Sequence, residues 1–115
     1  MLAKKNRLDK KGVDLVFKLC PPSGNRGFLL FSTHLTFKFL KEEQNTDPRI
    51  SFIASKGVVK LAVKRNLLRR SGYSALAKHI QTLPSCISGV FIFKKYQDDV
   101  SILENEIKTI LHKVN

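Results

Sequence analysis

Hydrophobic side chains recur at helical spacing near both ends of the chain. The first stripe has the spacing i, i+3, i+4, i+7 and consists of Val13, Val16, Phe17 and Cys20. Asp9 is placed to cap the helix that this stripe predicts over residues 10–19. The second stripe follows Asp98 and Asp99, either of which can cap its helix, and consists of Val100, Leu103, Ile107, Leu111 and Val114. Both helices are therefore expected to pack one apolar face against other elements.

Three segments between these helices have the aromatic and β-branched content of strands. They cover residues 28–40, 49–55 and 87–95. An antiparallel pairing of the first two is the simplest arrangement, because consecutive strands usually lie side by side. The third segment is apolar enough to lie in the centre of a sheet.

A long helix is predicted between the second and third strands, over residues 57–81. It is expected to be disturbed at Ser71-Gly72-Tyr73, since glycine costs about 1 kcal/mol in a helix interior. The resulting order, α-β-β-α-β-α, predicts an α+β fold: a single-domain α/β sandwich in which helices pack on a mixed central sheet. Residues 1–115 are expected to form this one domain, with residues 1–8 as a flexible basic arm.

Charge is strongly unbalanced and unevenly distributed along the chain. There are 21 Lys and Arg against nine Asp and Glu, which gives a formal net charge of +12. No acidic residue occurs between Pro48 and Gln97, a stretch that carries Arg49, Lys56, Lys60, Lys64, Arg65, Arg69, Arg70, Lys78, Lys94 and Lys95. A solvated surface normally intersperses both signs, whereas a face that binds a polyanion separates them. Nucleic acid or an anionic membrane surface is the usual partner of such a protein.

Several other classes of site and location are not supported by the sequence. The two cysteines, Cys20 and Cys86, are too few for a structural zinc site and do not indicate a disulfide framework. No apolar run approaches the length of a membrane span, and the N-terminus lacks the apolar core of a signal peptide. The protein is therefore expected in the cytoplasm, without a membrane partner or a small-molecule substrate.

No set of catalytic residues stands out either. The three histidines, His34, His79 and His112, are scattered along the chain. The acidic residues of the pairs Glu42-Glu43 and Asp98-Asp99 are adjacent, so their side chains diverge, whereas a metal site needs carboxylates that converge. We therefore predict neither a catalytic residue nor a metal site in this chain.

The predicted central helix carries the densest group of basic residues. In KGVVKLAVKRNLLRR, residues 56–70, Leu61 and Leu68 form a narrow apolar stripe with Val58 nearby. Basic pairs at spacing i, i+4 lie on either side of it: Lys60 with Lys64, and Arg65 with Arg69. Phosphates are the natural counterions of such flanks, and Asn66 between them could contact a base edge, a 2′-hydroxyl or a phosphate. The alternative is an ordinary solvated helix.

The segment that contains this helix resembles the signature of the bacterial ribonuclease P protein subunit. The family pattern is Ser-Lys-Lys near a strand end, then Lys, an Ala-Val pair, and Arg-Asn-Arg followed by two basic residues. The residues that match in order are Ser55-Lys56, Lys60, Ala62-Val63, Arg65-Asn66 and Arg69-Arg70. Residues 6–8 and 15–18 are similar to the family's N-terminal helix, and residues 25–31 to its first long strand. The chain departs from the pattern at Gly57, at Leu67 and at Val13, where the family often has an aromatic residue.

The resemblance implies a fold like the second domain of ribosomal protein S5 and a role in tRNA processing. In this family the RNA subunit removes the 5′ leader of precursor tRNA with bound Mg²⁺, which the RNA mainly holds, and the protein supplies no catalytic residue. By motif position, the residues that would contact the catalytic RNA are Lys56, Lys60, Arg65, Asn66, Arg69 and Arg70, joined by Lys64 on the same basic flank. The leader would lie in a cleft lined by Phe17 and Phe31, with Val13 as a weaker member.

Two questions stay open at this point. Without the resemblance, core packing would be favoured for Phe17 and Phe31. Strand parity groups Phe31 with Phe37 and Phe39, so its facing depends on whether the strand carries a bulge.

The alternative function is that of a ribosomal or ribosome-assembly protein that binds RNA without a catalytic role. A DNA-binding module is less favoured, since no recognition-helix unit is visible.

Overall fold

Three helices and four strands follow one another in the described part of the chain, in the order α-β-β-β-α-β-α. The computed structural model describes residues 6–19, 27–41, 48–80, 87–97 and 99–114. The elements are α1 (Lys10–Leu19), β1 (Phe28–Phe31), β2 (Leu35–Lys41), β3 (Arg49–Ile53), α2 (Ala62–Ala77), β4 (Ile87–Phe93) and α3 (Val100–Val114). The strands form one mixed sheet in the order β1-β2-β4-β3. The predicted α+β class, with helices on a mixed sheet, is confirmed.

The N-terminal caps of α1 and α3 follow the sequence prediction. The Asp9 carboxylate Oδ1 accepts a hydrogen bond from the backbone N–H of Gly12 at 2.8 Å. The Asp99 Oδ1 does the same for the N–H of Ser101 at 2.9 Å. Each bond satisfies a backbone donor that the first helical turn leaves unpaired. The other candidate cap, Asp98, and both cysteines lie outside the described residues.

The segment predicted as a single strand over residues 28–40 forms two antiparallel strands instead. The chain reverses at Ser32-Thr33-His34, where the Ser32 N–H donates to the carbonyl of Leu35 at 2.8 Å. As a result, Phe31 lies opposite Thr36 across the β1–β2 ladder. Residues directly opposite in a ladder share a face of the sheet. The turn therefore resets the strand parity and places Phe31 on the face away from Phe37.

The third strand along the chain does not pair as predicted. An antiparallel pairing of residues 49–55 with the preceding strand was expected, but β3 pairs in parallel with β4, and β4 also pairs antiparallel with β2. The helix α2 connects β3 to β4, and a connection of this length is what allows two strands to run in parallel. The predicted central position of β4 is confirmed.

The sheet buries one face under α2 and α3 and part of the other under α1. The larger core contains the apolar residues of α2 and α3 with the rings of Phe37, Phe52, Phe91 and Phe93. A smaller cluster of Val16, Leu40 and Val90 lies between α1 and the opposite face. Since α1 is short, it leaves the β1 side of that face uncovered.

The central helix is shorter than predicted and is not broken at Gly72. It begins at Ala62 because residues 56–58 form a turn, in which the N–H groups of Val58 and Val59 bond to the Ser55 carbonyl at 3.1 and 3.2 Å. At Gly72 a Cβ atom would lie 2.5 Å from Cδ1 of Phe52. Glycine there serves close helix–sheet packing, which outweighs its poor helix propensity.

The last residues of the predicted N-terminal arm are packed against β3. The Asn6 side-chain amide donates to the Pro48 carbonyl at 2.9 Å, and the Leu8 N–H donates to the Ile50 carbonyl at 3.1 Å. Arg7 forms a parallel bridge with Ile50. The prediction of a flexible arm is therefore wrong for residues 6–8, because their backbone extends the edge of the sheet. Residues 1–5 lie outside the described ranges.

Candidate nucleic-acid interface

Most of the predicted RNA-binding residues form one exposed surface at the N-terminal half of α2. We call it the basic α2 surface, and it consists of Lys56, Lys60, Lys64, Asn66 and Arg70, all exposed. Lys56 and Lys60 lie on the connection that precedes the helix, and the other three lie on its first three turns. The helix and its connection thus bring together residues that are 14 positions apart in sequence.

Arg65 has a structural role that its sequence pattern did not indicate. Its Nη1 donates to the carbonyl of Lys60 at 2.7 Å and to that of Val59 at 3.1 Å. These bonds fix the connection that carries Lys56 and Lys60, and the side chain is half-buried. The expected apolar stripe of this helix is also narrower than predicted, because Leu68 is fully buried whereas Leu61 is 62% exposed.

Arg69 and Asn66 bind each other on the same helix. The Arg69 Nη2 donates to the Asn66 Oδ1. Since a guanidinium group has only donors, this bond fixes the orientation of the amide and leaves its NH₂ group pointing elsewhere. Arg69 itself is half-buried. The pair therefore presents donors to a ligand.

The charges of the basic α2 surface are not neutralised by the described acidic residues. Within the described ranges, none of its lysines or arginines lies within ion-pair distance of a carboxylate. Lys64 has its Nζ 6.0 Å from the ring centroid of Tyr96. The ion pair of Lys78 with Glu104, at 3.8 Å, is at the far end of α2. A surface of this kind attracts anions at long range and binds phosphate at contact.

A second candidate surface is the part of the sheet that α1 leaves uncovered. The strand register decides which residues are neighbours across β1, β2 and β4. One set of neighbours is Phe31, Thr36 and Ile92, and another is Leu29, Lys38 and Val90. We call this surface the open sheet face. It consists of Leu29, Phe31, Lys38 and Lys94, with Phe17 at its border with α1. Phe31 is 55% exposed there and does not belong to the core.

Two lysines accompany the two aromatic rings of the open sheet face. The Lys38 Nζ is 5.0 Å from the ring centroid of Phe17, and the Lys94 Nζ is 5.2 Å from that of Phe31. Sequence reasoning missed both lysines. Alternation places Lys38 on the face opposite to Phe37, and Lys94 follows β4 with the parity of Ile92. The turn at residues 32–34 brings Phe31 to the same face. Val13 and Phe17 are half-buried and pack on the Val16 cluster as well, so both predicted border residues also support α1.

Two carboxylates of α3, those of Glu104 and Glu106, are engaged in structural contacts. The Glu104 Oε1 lies 2.8 Å from the His79 Nε2, and this hydrogen bond lowers the pKa of Glu104. Burial alone would raise the pKa of Glu106, but hydrogen bonds from Ser32 and His34 outweigh it and lower that pKa. No three His, Cys, Asp or Glu side chains in the described part converge to hold a metal ion. None of the described helices is long and apolar enough to cross a membrane.

The chain is similar to known proteins in its sequence pattern and in its fold. The Ribonuclease P family model matches residues 2–115 of the chain. The RNase P protein from Thermotoga maritima superposes with a TM-score of 0.76 at 18% identity, over 95% of this chain and 97% of that chain. The Staphylococcus aureus RNase P protein superposes with a TM-score of 0.73 at 15% identity, over 97% of this chain and 100% of that chain. No curated protein matches the chain. The structural likenesses show a shared fold.

Proposed function

The chain belongs to the ribonuclease P protein family, and from this premise we propose that it binds two parts of the RNA in a precursor-tRNA complex with two separate surfaces. A protein of this family is the protein subunit of a ribonucleoprotein endoribonuclease. Its partner is therefore an RNA subunit. The proposal concerns which surface contacts which RNA.

The basic α2 surface is proposed to bind the catalytic RNA. The observation that carries this assignment is the group of exposed cations on α2 and its connection, in a stretch of 50 residues without an acidic side chain. Lys60 and Lys64 would each contact a phosphate and release condensed counterions, which is a large source of affinity in such complexes. Arg70 would contact the same RNA beside them. Arg65 would act by holding the connection in place, and Arg69 by orienting Asn66.

The open sheet face is proposed to bind the single-stranded 5′ leader of precursor tRNA. An exposed ring such as Phe31 can stack on an unpaired base, and the neighbouring Lys94 can contact the adjoining phosphate. Stacking contributes about 1–3 kcal/mol per base and does not depend on the base, so one site can accept many leader sequences. Phe17 and Lys38 form a second ring and cation pair at the α1 border, with Val13 beside them.

Chemistry at the cleaved bond is assigned to the RNA subunit, which is proposed to hold Mg²⁺ for the most part. The contribution of this chain is electrostatic: a body of charge +12 between two polyanions offsets phosphate repulsion that cations would otherwise have to screen. We place this activity in the cytoplasm, together with its precursor-tRNA substrate.

Reconstitution with the cognate RNA tests this proposal. The protein, the RNA and precursor tRNA are combined over a series of Mg²⁺ concentrations, and mature 5′ ends are measured. The protein is expected to lower the Mg²⁺ concentration needed for cleavage, with an effect that shrinks as Mg²⁺ rises. Cleavage by the protein without RNA would contradict the assignment of the chemistry. An RNA whose activity is the same with and without the protein would contradict the supporting role.

A further inference from the structure

An apolar patch interrupts the basic α2 surface. Val63 is 79% exposed and Leu67 is 43% exposed, one helical turn apart. Asn66 and Arg70 lie beside them on the same side of α2, and the four side chains line a shallow cavity of about 360 Å³. Exposed aliphatic side chains are common when scattered singly, but these two lie together among cations that pair with no carboxylate of the described residues.

Phosphate is a poor ligand for the floor of this cavity. Valine and leucine side chains offer no hydrogen bond. A phosphate that covered them would lose water molecules and gain no hydrogen bond in their place. A second copy of the chain is also disfavoured, since each copy carries +12. A nucleobase combines apolar faces with a polar edge, and its face can cover Val63 and Leu67 while its edge meets Asn66 and Arg70.

The rim of the cavity selects among the bases. The Asn66 Oδ1 is occupied by Arg69, so the amide NH₂ remains as a donor. Arg70 also has only donors. The rim therefore matches a base edge that carries acceptors. Guanine presents two, O6 and N7, which suit an arginine, whereas adenine presents a donor beside its N7. Unpaired cytosine also presents two acceptors, O2 and N3, but its single ring covers less of the apolar floor than a purine does.

We propose that the cavity formed by Val63, Asn66, Leu67 and Arg70 binds one unpaired nucleobase of the catalytic RNA, with guanine preferred. This inference rests on the proposed binding of the catalytic RNA to the basic α2 surface. It adds that the surface recognises an extruded base in addition to the phosphate backbone. The RNA contact would then have a component that does not depend on salt.

A salt series with matched variants tests the apolar contact. The double variant Val63→Ser/Leu67→Ser removes the floor of the cavity and changes no charge; the control Ile102→Ser removes an exposed aliphatic side chain from α3. We expect the double variant to raise the Kd for the catalytic RNA about tenfold, as the loss of buried apolar surface does, with an unchanged slope of log K against log salt. The control should bind as the original protein does. An unchanged Kd for the double variant, or a loss seen only as a change of slope, would overturn the proposal.

Chemical probing of the RNA identifies the base. Dimethyl sulfate modifies guanine N7, and the original protein should protect a guanine that the double variant leaves reactive. Replacing that guanine with 7-deazaguanine should raise the Kd for the original protein and have little further effect on the double variant. Identical protection by both proteins would contradict the binding of a base in the cavity, while the proposed binding of the catalytic RNA would still stand. No binding of the catalytic RNA by the original protein would contradict the proposed function as well.

Discussion

The carboxylate of Glu106 binds His34 at two atoms. Oε2 lies 2.7 Å from the imidazole Nδ1, and Oε1 accepts the His34 backbone N–H at 2.7 Å. The same Oε1 accepts a hydrogen bond from the Ser32 hydroxyl at 2.6 Å. A side chain of α3 thus fixes the turn between β1 and β2. Because that turn decides which face of the sheet Phe31 occupies, a carboxylate 72 residues away in sequence supports the composition of the open sheet face.

Removing this contact should destabilise the fold. We expect Glu106→Ala to lower the free energy of unfolding by about 2–3 kcal/mol, since hydrogen bonds to a charged group contribute about 1.5–3 kcal/mol and the Ser32 and His34 donors would lose their partner. Urea denaturation at pH 7 measures this difference. Asn105→Ala, an exposed neighbour on α3, is the control and should change little. Equal stability of the two variants would show that the Glu106 contacts do not stabilise the turn between β1 and β2.

The same carboxylate should make stability depend on acid. Its hydrogen bonds lower the pKa of Glu106 below the ordinary value of 4.5. A group whose pKa is lower in the folded state contributes stability that is present above its unfolded pKa and is lost as the pH falls through the folded pKa. Glu106→Gln should therefore lose less stability than the original protein between pH 6 and pH 3. Denaturation curves at both pH values test this, and a parallel loss in both proteins would contradict it.

Local patterns predicted the helices well and the sheet less well. The caps at Asp9 and Asp99 depend on residues within one turn, so the sequence displays them directly. The reversal at residues 32–34 is held by Glu106 of α3 as well as by the bonds between Ser32 and Leu35, and the parallel pairing of β3 depends on where α2 returns the chain. The two lysines of the open sheet face could not be grouped with Phe31 until that reversal was known. The basic residues of α2 were predicted because charge segregation is itself a property of the sequence.

Gly72 shows how packing can override a local preference. Glycine predicts a disturbed helix, and replacing it with alanine would favour an isolated helix by about 1 kcal/mol. In this structure the added methyl group would lie 2.5 Å from the ring of Phe52. We expect Gly72→Ala to lower the free energy of unfolding by about 1–3 kcal/mol, as overpacked cores do. Ser74→Ala, exposed on the same helix, should have no such cost.

A double-mutant cycle separates the clash from other effects of Gly72→Ala. If the Phe52 ring is the cause, Phe52→Leu should make the alanine less harmful, so that the two changes are not additive. The free energies of unfolding of the four proteins are measured by urea denaturation. If the losses in the free energy of unfolding are additive, the destabilisation by Gly72→Ala does not come from a clash with the Phe52 ring.

Charge removal on the basic α2 surface should act on the salt dependence of RNA binding. Replacing Lys60, Lys64 and Arg70 with alanine removes three exposed cations from positions that contribute no buried packing. We expect an unchanged free energy of unfolding and a flatter plot of log K against log salt, by about 0.7–0.9 for each phosphate that the variant no longer neutralises. The control replaces Lys108 and Lys113 of α3, and an equal effect of the control would mean that only net charge matters.

Arg65→Ala should behave differently from the other cationic variants. Its Nη1 holds the carbonyls of Val59 and Lys60, so the variant releases the connection as well as removing a charge. We expect a loss of stability of about 1.5–3 kcal/mol, as for a hydrogen bond made by a charged group. A variant as stable as the original protein would mean that Arg65 does not stabilise the connection and acts only by contacting RNA.

The aromatic ring of Phe31 allows a sharp test of leader binding, because β1 carries a matched ring on its other face. Phe28 is 47% exposed and Phe31 is 55% exposed, and each has a lysine Nζ within 5.3 Å of its ring centroid. Phe28 lies opposite Phe39, which belongs to the core under α2 and α3, whereas Phe31 lies opposite Thr36 on the open sheet face. The two rings therefore occupy different faces, and Phe28 also stacks on Phe39, with ring centroids 5.1 Å apart.

We expect Phe31→Ala to weaken binding of precursor tRNA by the complete ribonucleoprotein about tenfold, since one stacked base contributes about 1–3 kcal/mol. Binding of mature tRNA, which lacks the leader, should be unchanged. Phe28→Ala should affect neither, and circular dichroism should show both variants folded. Phe17→Ala is a weaker test, because Phe17 also packs on the Val16 cluster and its loss destabilises α1. Equal losses for Phe28→Ala and Phe31→Ala would mean that the rings contribute through β1 itself, and that the leader does not follow the open sheet face.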